Sequence, residues 1–378
     1  MEWGNCKQSL REIDTNDVCL YGDDFAKFYK GKRVLVTGIS GFKGSWMLKI
    51  LSNFGAKVCG YALKPPTKPA LFDLIDGRNL CEFVEGDIRD MDLLKATFDA
   101  FKPQIVLHLA AQPIVRESYR EPRYTFETNV MGTVNVLECV RLTKSVKSFL
   151  NVTTDKVYEN REWAWGYRED EPLDGFDPYS NSKSCSELVT HSYKSSFFTQ
   201  KSSCAISTAR AGNVIGGGDF AADRIIPDCV RASEAKRDII VRNPFSTRPY
   251  QHALEPVFAY LLIAKAQYEN KMFANYYNVG PETRDCVCTG DIVEMYCNAF
   301  GENMKWVNEC VEDGMHEANF LKLDCSRLKA EMGWMPAWNI EKAIEKTVEW
   351  TKVYLNKGDI CAIMDKQIEE YRKDANNV

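Results

Sequence analysis

The chain has 378 residues, 45% of them hydrophobic and 27% charged, with a formal net charge of −5. That is enough apolar material for a large core, and the negative balance excludes a broad basic face for nucleic acid. The start, MEWGNCKQSLREIDTND, holds no apolar run of the kind a signal peptide needs, and no later stretch reaches the roughly 18 apolar residues of a membrane span, so a soluble, cytoplasmic protein is expected.

Residues 1–31 read as a loop-and-helix leader. From Arg33 the texture alternates. Arg33–Thr37 predicts a strand, Gly44–Phe54 a helix stopped by Gly55, and Lys57–Tyr61 a second strand. Glu82–Val84 and Ile105–Leu109 follow as strands around a helical Met91–Phe101. Thr133–Leu142 reads as a helix, Ser148–Thr153 as a strand, Ser180–Phe198 as a helix and Ala205–Arg210 as a strand. Such alternation implies right-handed crossovers and a doubly wound parallel sheet of Rossmann type over residues 32–215. Gly216-Gly217-Gly218 breaks the pattern, and Pro227, Pro244 and Pro249 punctuate the chain beyond it. A smaller substrate lobe over 216–350 is expected, partly interleaved with the sheet through Tyr276–Val279, then a charged, solvated helical tail over 351–378.

Fourteen cysteines is a high count, but in a chain this long it does not suggest a small disulfide scaffold. Cys59, Cys204 and Cys229 sit in apolar contexts, where free thiols behave as small hydrophobes. Cys286-x-Cys288 has no second pair and no nearby histidine, so no metal site is expected.

Three stretches point to one crevice. Thr37–Gly44 lies between a strand and a helix, and its glycines Gly38, Gly41 and Gly44, with Ser40 and Phe42, suit a turn that offers a helix N-terminus to a pyrophosphate. Gly86-Asp87-Ile88 follows the third strand, where a carboxylate can accept a hydrogen bond from an adenine amino group. Leu109-Ala110-Ala111-Gln112 follows the fourth, where small residues let a cofactor lie against the strand end. The second strand ends in Ala62-Leu63-Lys64 without the acid that NAD sites commonly use for the ribose, so NAD and NADP both stay open on this reading.

Tyr179 and Lys183 are four apart on a predicted helix and share a face. A phenol is a weak base at neutral pH, but an adjacent ammonium and a cationic nicotinamide would lower its pKa. With Thr154 just past a strand end, the trio is equipped to deprotonate an alcohol while hydride leaves its carbon.

On these residues the chain resembles the extended short-chain dehydrogenases/reductases over about residues 30–350. Gly41–Trp46, Thr153–Trp163, Ala211–Asp219 and Arg248–His252 narrow the resemblance to sugar-nucleotide 4,6-dehydratases of the CDP-glucose type. The resemblance implies oxidation at sugar carbon 4 with Tyr179 as base, loss of water across carbons 5 and 6, and return of the hydride to carbon 6. It implies Asp155 as the acid for the leaving hydroxyl, with Lys156 where related enzymes carry the glutamate that acts as base at carbon 5. Asn213, Arg224, Arg248 and His252 would hold the sugar nucleotide, CDP-glucose. Departures are Ile39, which stands where these dehydratases usually have His, and a leader longer than usual. The absent strand-end acid is shared with the CDP-glucose group, which uses NAD, so NAD is the expected cofactor. Family members usually pair through helices including the one that carries Tyr179, so a homodimer is expected. Two alternatives compete: a 4-epimerase or reductase, which needs no protonated Asp155, and a non-catalytic NAD(P) sensor, which has no need of Tyr179 and Lys183.

Overall fold

The structure, a computed structural model, describes residues 20–199, 202–301, 303–309 and 321–378. Seven strands form its main sheet: β1 (Arg33–Thr37), β2 (Lys57–Ala62), β3 (Glu82–Glu85), β4 (Ile105–His108), β5 (Ser148–Val152), β6 (Ala205–Ala211) and β7 (Tyr276–Val279). The principal helices are α1 (Asp23–Tyr29), α2 (Phe42–Asn53), α3 (Met91–Phe101), α4 (Gly132–Leu142), α5 (Pro178–Phe197), α6 (Leu254–Glu269), α7 (Ile340–Leu355) and α8 (Ile360–Ala375).

The strand order is β7-β6-β5-β4-β1-β2-β3, and every pair is parallel. This is the expected doubly wound fold. Alternation along the strands explains why both faces are covered. Val34 and Val36 of β1 enter one apolar cluster, with Ile105, Leu107 and Leu150. Leu35 enters the other, with Val106 and Phe149. Each such side chain stabilises the fold by about 1.5–3 kcal/mol, and truncating fully buried Leu107 to alanine would cost roughly 2–5 kcal/mol. Winding reverses between β1 and β4, which opens a crevice beyond their carboxyl ends.

Local chemistry sets the helix that matters most. Asp177 accepts from Ser180 N at 3.0 Å as N-cap, and Pro178 fills the first turn. Helix α5 therefore begins two residues before the predicted start, and Tyr179 sits in its first turn. Between β4 and α4, residues 115–131 form two short helices and a π-helical stretch, Glu127–Met131, that no local pattern predicts. Asn129 in that stretch bridges inward, accepting from Gln112 N at 2.8 Å and donating to Ser182 Oγ at 2.9 Å.

The periphery departs from expectation. The tail is helical and charged but not solvated: Ile360, Ile363, Met364, Gln367, Ile368 and Tyr371 are buried on one face of α8. That face meets the leader, whose Tyr21, Phe25 and Tyr29 are also buried. The two are bonded directly, Tyr21 N donating to Asn376 Oδ1 at 2.8 Å and Arg372 Nε to Tyr21 O at 3.0 Å. Asp365 of α8 also grips α2, through Lys49 at 2.8 Å and Asn53 at 2.7 Å. Residues 1–19 of the expected leader lie outside the described residues. The chain beyond 215 is built from short paired strands and helices including α7, and it lends β7 to the main sheet. Among the described residues no helix is long and apolar enough to cross a membrane.

Candidate active site

The ends of β4, β5 and β6 and the starts of α2 and α5 border a cleft of about 370 Å³. At β1 the chain turns through Gly38, whose φ of +72° suits glycine and whose added Cβ would come within 2.7 Å of Ala110 N. A Cβ on Gly44 would strike the Gly38 carbonyl. Gly41 differs. Its φ is −81°, and a Cβ there would meet only Gly38 O, at 3.4 Å. The fold alone does not require glycine at 41, so the open space it keeps at the start of α2 suits a ligand phosphate resting on helix N–H groups. The glycine turn thus fits a dinucleotide.

The neighbouring residues divide. Phe42, Leu109 and Ala111 line the cleft. Ser40 Oγ donates to Leu63 O at 2.9 Å and ties the turn to the end of β2, and Ala110 N donates to Thr37 Oγ1 at 3.2 Å. Burial raises the Asp87 carboxyl, but hydrogen bonds from Arg89 outweigh it and hold the group below its ordinary value. Ile88 and Gln112, both expected at the cofactor, have side chains committed elsewhere. Ile88 is buried in the core against Gly132, and Gln112 bonds Thr125 and Ile114 N. At the end of β2, Ala62 pairs in register with Glu85, whose carboxylate faces Lys64 at 3.7 Å.

At the end of β5, Thr154 caps a short 3₁₀ turn, Asp155–Val157, and its hydroxyl donates to Asp155 Oδ1 at 2.9 Å. Asp155 is only 1% exposed, and its Oδ2 is buried without a hydrogen-bond partner among the described residues. Burial raises its pKa, opposed by Lys156, the Thr154 hydrogen bond and Arg248. Lys156 is half-buried at the cleft wall. Tyr179 and Lys183 rise from α5 into the same space, and Lys183 Nζ donates to Val152 O at 3.2 Å.

Here the phenol departs from expectation. Burial pushes Tyr179 up to about 12, with Thr154's hydrogen bond pulling the other way. The ammonium expected to lower it is itself weakened: burial, then repulsion from Lys43, lowers Lys183 to about 7. In the protein's own field, burial outweighs the Thr154 hydrogen bond and the charge of Arg224 at Tyr179.

Asn213, just past β6, and Arg224 and Arg248 of the lobe line the cleft, with Arg224 bonded to Asp219 at 3.0 Å. His252 is not among them. It is fully buried, edge-on to Trp46 and Trp338, with Nδ1 accepting from Leu254 N at 3.3 Å. Its expected substrate contact is therefore withdrawn. Sequence reasoning misses Lys43, which lines the cleft with its ammonium 5.9 Å from the Tyr260 ring centroid. It stands inside the glycine motif, but nothing local to it tells where its side chain points.

Residues 35–347 match the profile of the family described as GDP-mannose 4,6 dehydratase. The CDP-glucose 4,6-dehydratase of Salmonella typhimurium is 45% identical over 349 residues, covering 91% of this chain and 97% of that protein. The dTDP-D-glucose 4,6-dehydratase of Homo sapiens is 27% identical over 332 residues, 84% of this chain and 89% of the other. Among solved structures, a UDP-glucose 4-epimerase from Thermotoga maritima has a TM-score of 0.74 at 22% identity, covering 85% of this chain and 99% of that one. A dTDP-glucose 4,6-dehydratase from Bacillus anthracis in complex with NAD has a TM-score of 0.69 at 20% identity, covering 88% and 100%. At those identities the two structures speak for the fold.

The sheet order, the glycine turn and the Tyr179–Lys183 pair define an extended short-chain dehydrogenase/reductase. Within that class, the chain belongs to the GDP-mannose 4,6-dehydratase family.

Proposed function

We propose that the chain is an NAD-dependent CDP-glucose 4,6-dehydratase, forming CDP-4-keto-6-deoxyglucose and water. The observation that carries this reading is Asp155. Its Oδ2 is buried and unpartnered in the cleft that also holds Thr154, Tyr179 and Lys183, and its pKa is raised by burial. A carboxyl whose protonated form burial favours, beside an alcohol-oxidising trio, is what dehydration requires beyond epimerisation. The high identity to a CDP-glucose 4,6-dehydratase supports the nucleotide assignment.

When bound, the nicotinamide supplies the acceptor and later the donor of a hydride. Every proton is this chain's business. Tyr179 takes the proton of the carbon-4 hydroxyl, which Thr154 helps to hold. Once carbon 4 is a ketone, the proton on carbon 5 is acidic, and Lys156 is the candidate base, returning that proton to carbon 5 when the hydride reaches carbon 6. Asp155 gives its proton to the carbon-6 hydroxyl, which leaves as water. Asn213, Arg224 and Arg248 face the same space and suit the sugar nucleotide and its diphosphate.

The working form is proposed to be a homodimer. Leu142 of α4 and Leu188 and Phe197 of α5 are 48%, 53% and 51% exposed, an apolar set that a second copy would cover. The proposed compartment is the cytoplasm, where the free thiols of Cys59, Cys204 and Cys229 stay reduced. The test is incubation with CDP-glucose, in competition with UDP-, dTDP- and GDP-glucose. A 4-keto-6-deoxy product, seen by its absorbance in alkali and formed fastest from CDP-glucose, is expected. A changed hexose without loss of water would replace the reading with an epimerase, and preference for another base would overturn the nucleotide assignment.

A further inference from the structure

Lys43 is the second residue of α2, and its side chain is half-buried at the cleft wall. Its ammonium meets the face of Tyr260, and among the described residues it has no ion pair. The nearby charges do not compensate it. Arg224 repels it, and Lys43 in turn repels Lys183. The carboxylates of the same cleft are already engaged: Asp219 by Arg224 at 3.0 Å, Asp223 by Arg242 at 3.2 Å and Asp228 by Arg231 at 2.6 Å. Asp155 alone attracts it, and burial favours the neutral form of that acid. A half-buried ammonium without a counter-ion loses part of its hydration, and an arriving anion offsets that loss.

We propose that Lys43 is a phosphate ligand, whose ammonium binds a diphosphate oxygen in the gap between the glycine turn and Arg224 of the lobe. This deepens the proposed dehydratase function and rests on it. A lysine is a compact point charge that suits a phosphate oxygen where no bidentate fork is needed. Two diphosphates meet in this cleft under that reading, one from the sugar nucleotide and one from the dinucleotide. The chemistry is the same for both, and the measurements separate them. A proton change should accompany binding: burial, then Arg224, lowers Lys43 to about 8, so an arriving anion draws a proton onto it as pH rises past that value.

The test uses the full chain and calorimetric titration with CDP-glucose and with NAD, each alone, on wild type, Lys43→Met and Lys43→Arg. Lys43→Met should weaken one of the two ligands by about 10- to 100-fold, the range for a hydrogen bond to a charged group. Lys43→Arg should restore most of it. Loss for CDP-glucose alone assigns the substrate's diphosphate, and loss for NAD alone assigns the dinucleotide's. The binding enthalpy above about pH 8 should depend on buffer ionisation in wild type and not in Lys43→Arg, whose guanidinium stays charged. Lys43→Gln, neutral and polar, serves if Lys43→Met does not fold. Unchanged affinity for both ligands in a folded neutral variant overturns the proposal and leaves the dehydratase reading intact. A wild-type protein that binds neither ligand overturns the dehydratase reading itself.

Discussion

Glu187 and Arg210 meet beneath the cleft, Oε2 to Nη2 at 3.0 Å, with side chains 1% and 3% exposed. The same carboxylate accepts from the Thr153 hydroxyl on one oxygen and from Thr208 Oγ1 at 2.7 Å on the other. Arg210 goes on to Tyr158 OH at 2.9 Å, which donates to Asn278 Oδ1 at 2.6 Å. One buried pair thus ties α5 to the ends of β5, β6 and β7. Thr153 is the residue before Thr154, so the pair also fixes where the Thr154–Val157 turn begins.

Glu187→Gln should therefore act on stability first. It leaves a buried guanidinium without its charge partner, a loss of about 3–5 kcal/mol. Urea unfolding of the variant should show a midpoint lowered to match, with an unchanged slope. A midpoint within experimental error of wild type would show that the network carries no net stabilisation.

Asp155→Asn keeps the shape and the Thr154 contact but does not donate the proton readily. Product formation should slow by about 10²–10⁴-fold, while hydride exchange at carbon 4 survives. The sign of the pH effect follows from the raised pKa of Asp155, since the protonated form is the active one. Wild-type dehydration should fall as pH climbs through that raised value, and the variant should lose that limb. Turnover of CDP-glucose at the wild-type rate would remove Asp155 from the mechanism.

Gly41→Val tests the dinucleotide turn cleanly because the fold tolerates a Cβ at that position. The variant should fold, and its NAD affinity should drop by about tenfold or more, roughly 1.4 kcal/mol at least. Calorimetric titration of the folded variant decides it, and an unchanged affinity would move the pyrophosphate away from Gly41.

Glu255 offers a pH-dependent stability test. Burial raises its carboxyl to about 7, against hydrogen bonds from Trp338 N, Tyr371 OH and Ala337 N. A carboxyl raised on folding favours the folded state below its unfolded pKa of about 4.3, and that contribution disappears as pH rises through the folded value. Stability should thus decline by about 4 kcal/mol between those values, and Glu255→Gln should flatten the decline. Urea midpoints from about pH 4 to about pH 8 would show it, and an equal slope in the variant would place the titration elsewhere.

The parallel sheet was legible because buried strands such as Arg33–Thr37 and Ser148–Val152 are short apolar runs bounded by turns. The Thr154, Asp155, Tyr179 and Lys183 set was legible because strand ends and helix spacing carry it to one place. What was lost was lost to tertiary context. In α8 the apolar spacing of Ile360, Ile363, Met364, Ile368 and Tyr371 was present, but intervening charges suggested a solvated helix. His252 sits in a motif that faces the cleft in part, and only packing between Trp46 and Trp338 shows that its ring turns inward. The π-helical stretch at Glu127–Met131 has no local signature, since the bonds made by Asn129 involve residues 17 and 53 positions away.

The grip of Asp365 on Lys49 spans 316 positions of sequence. Helix α2, which follows the glycine turn, is thus held in part by a contact that no local folding step can make. A change at Asp365 would loosen the support of that turn from a distant part of the chain.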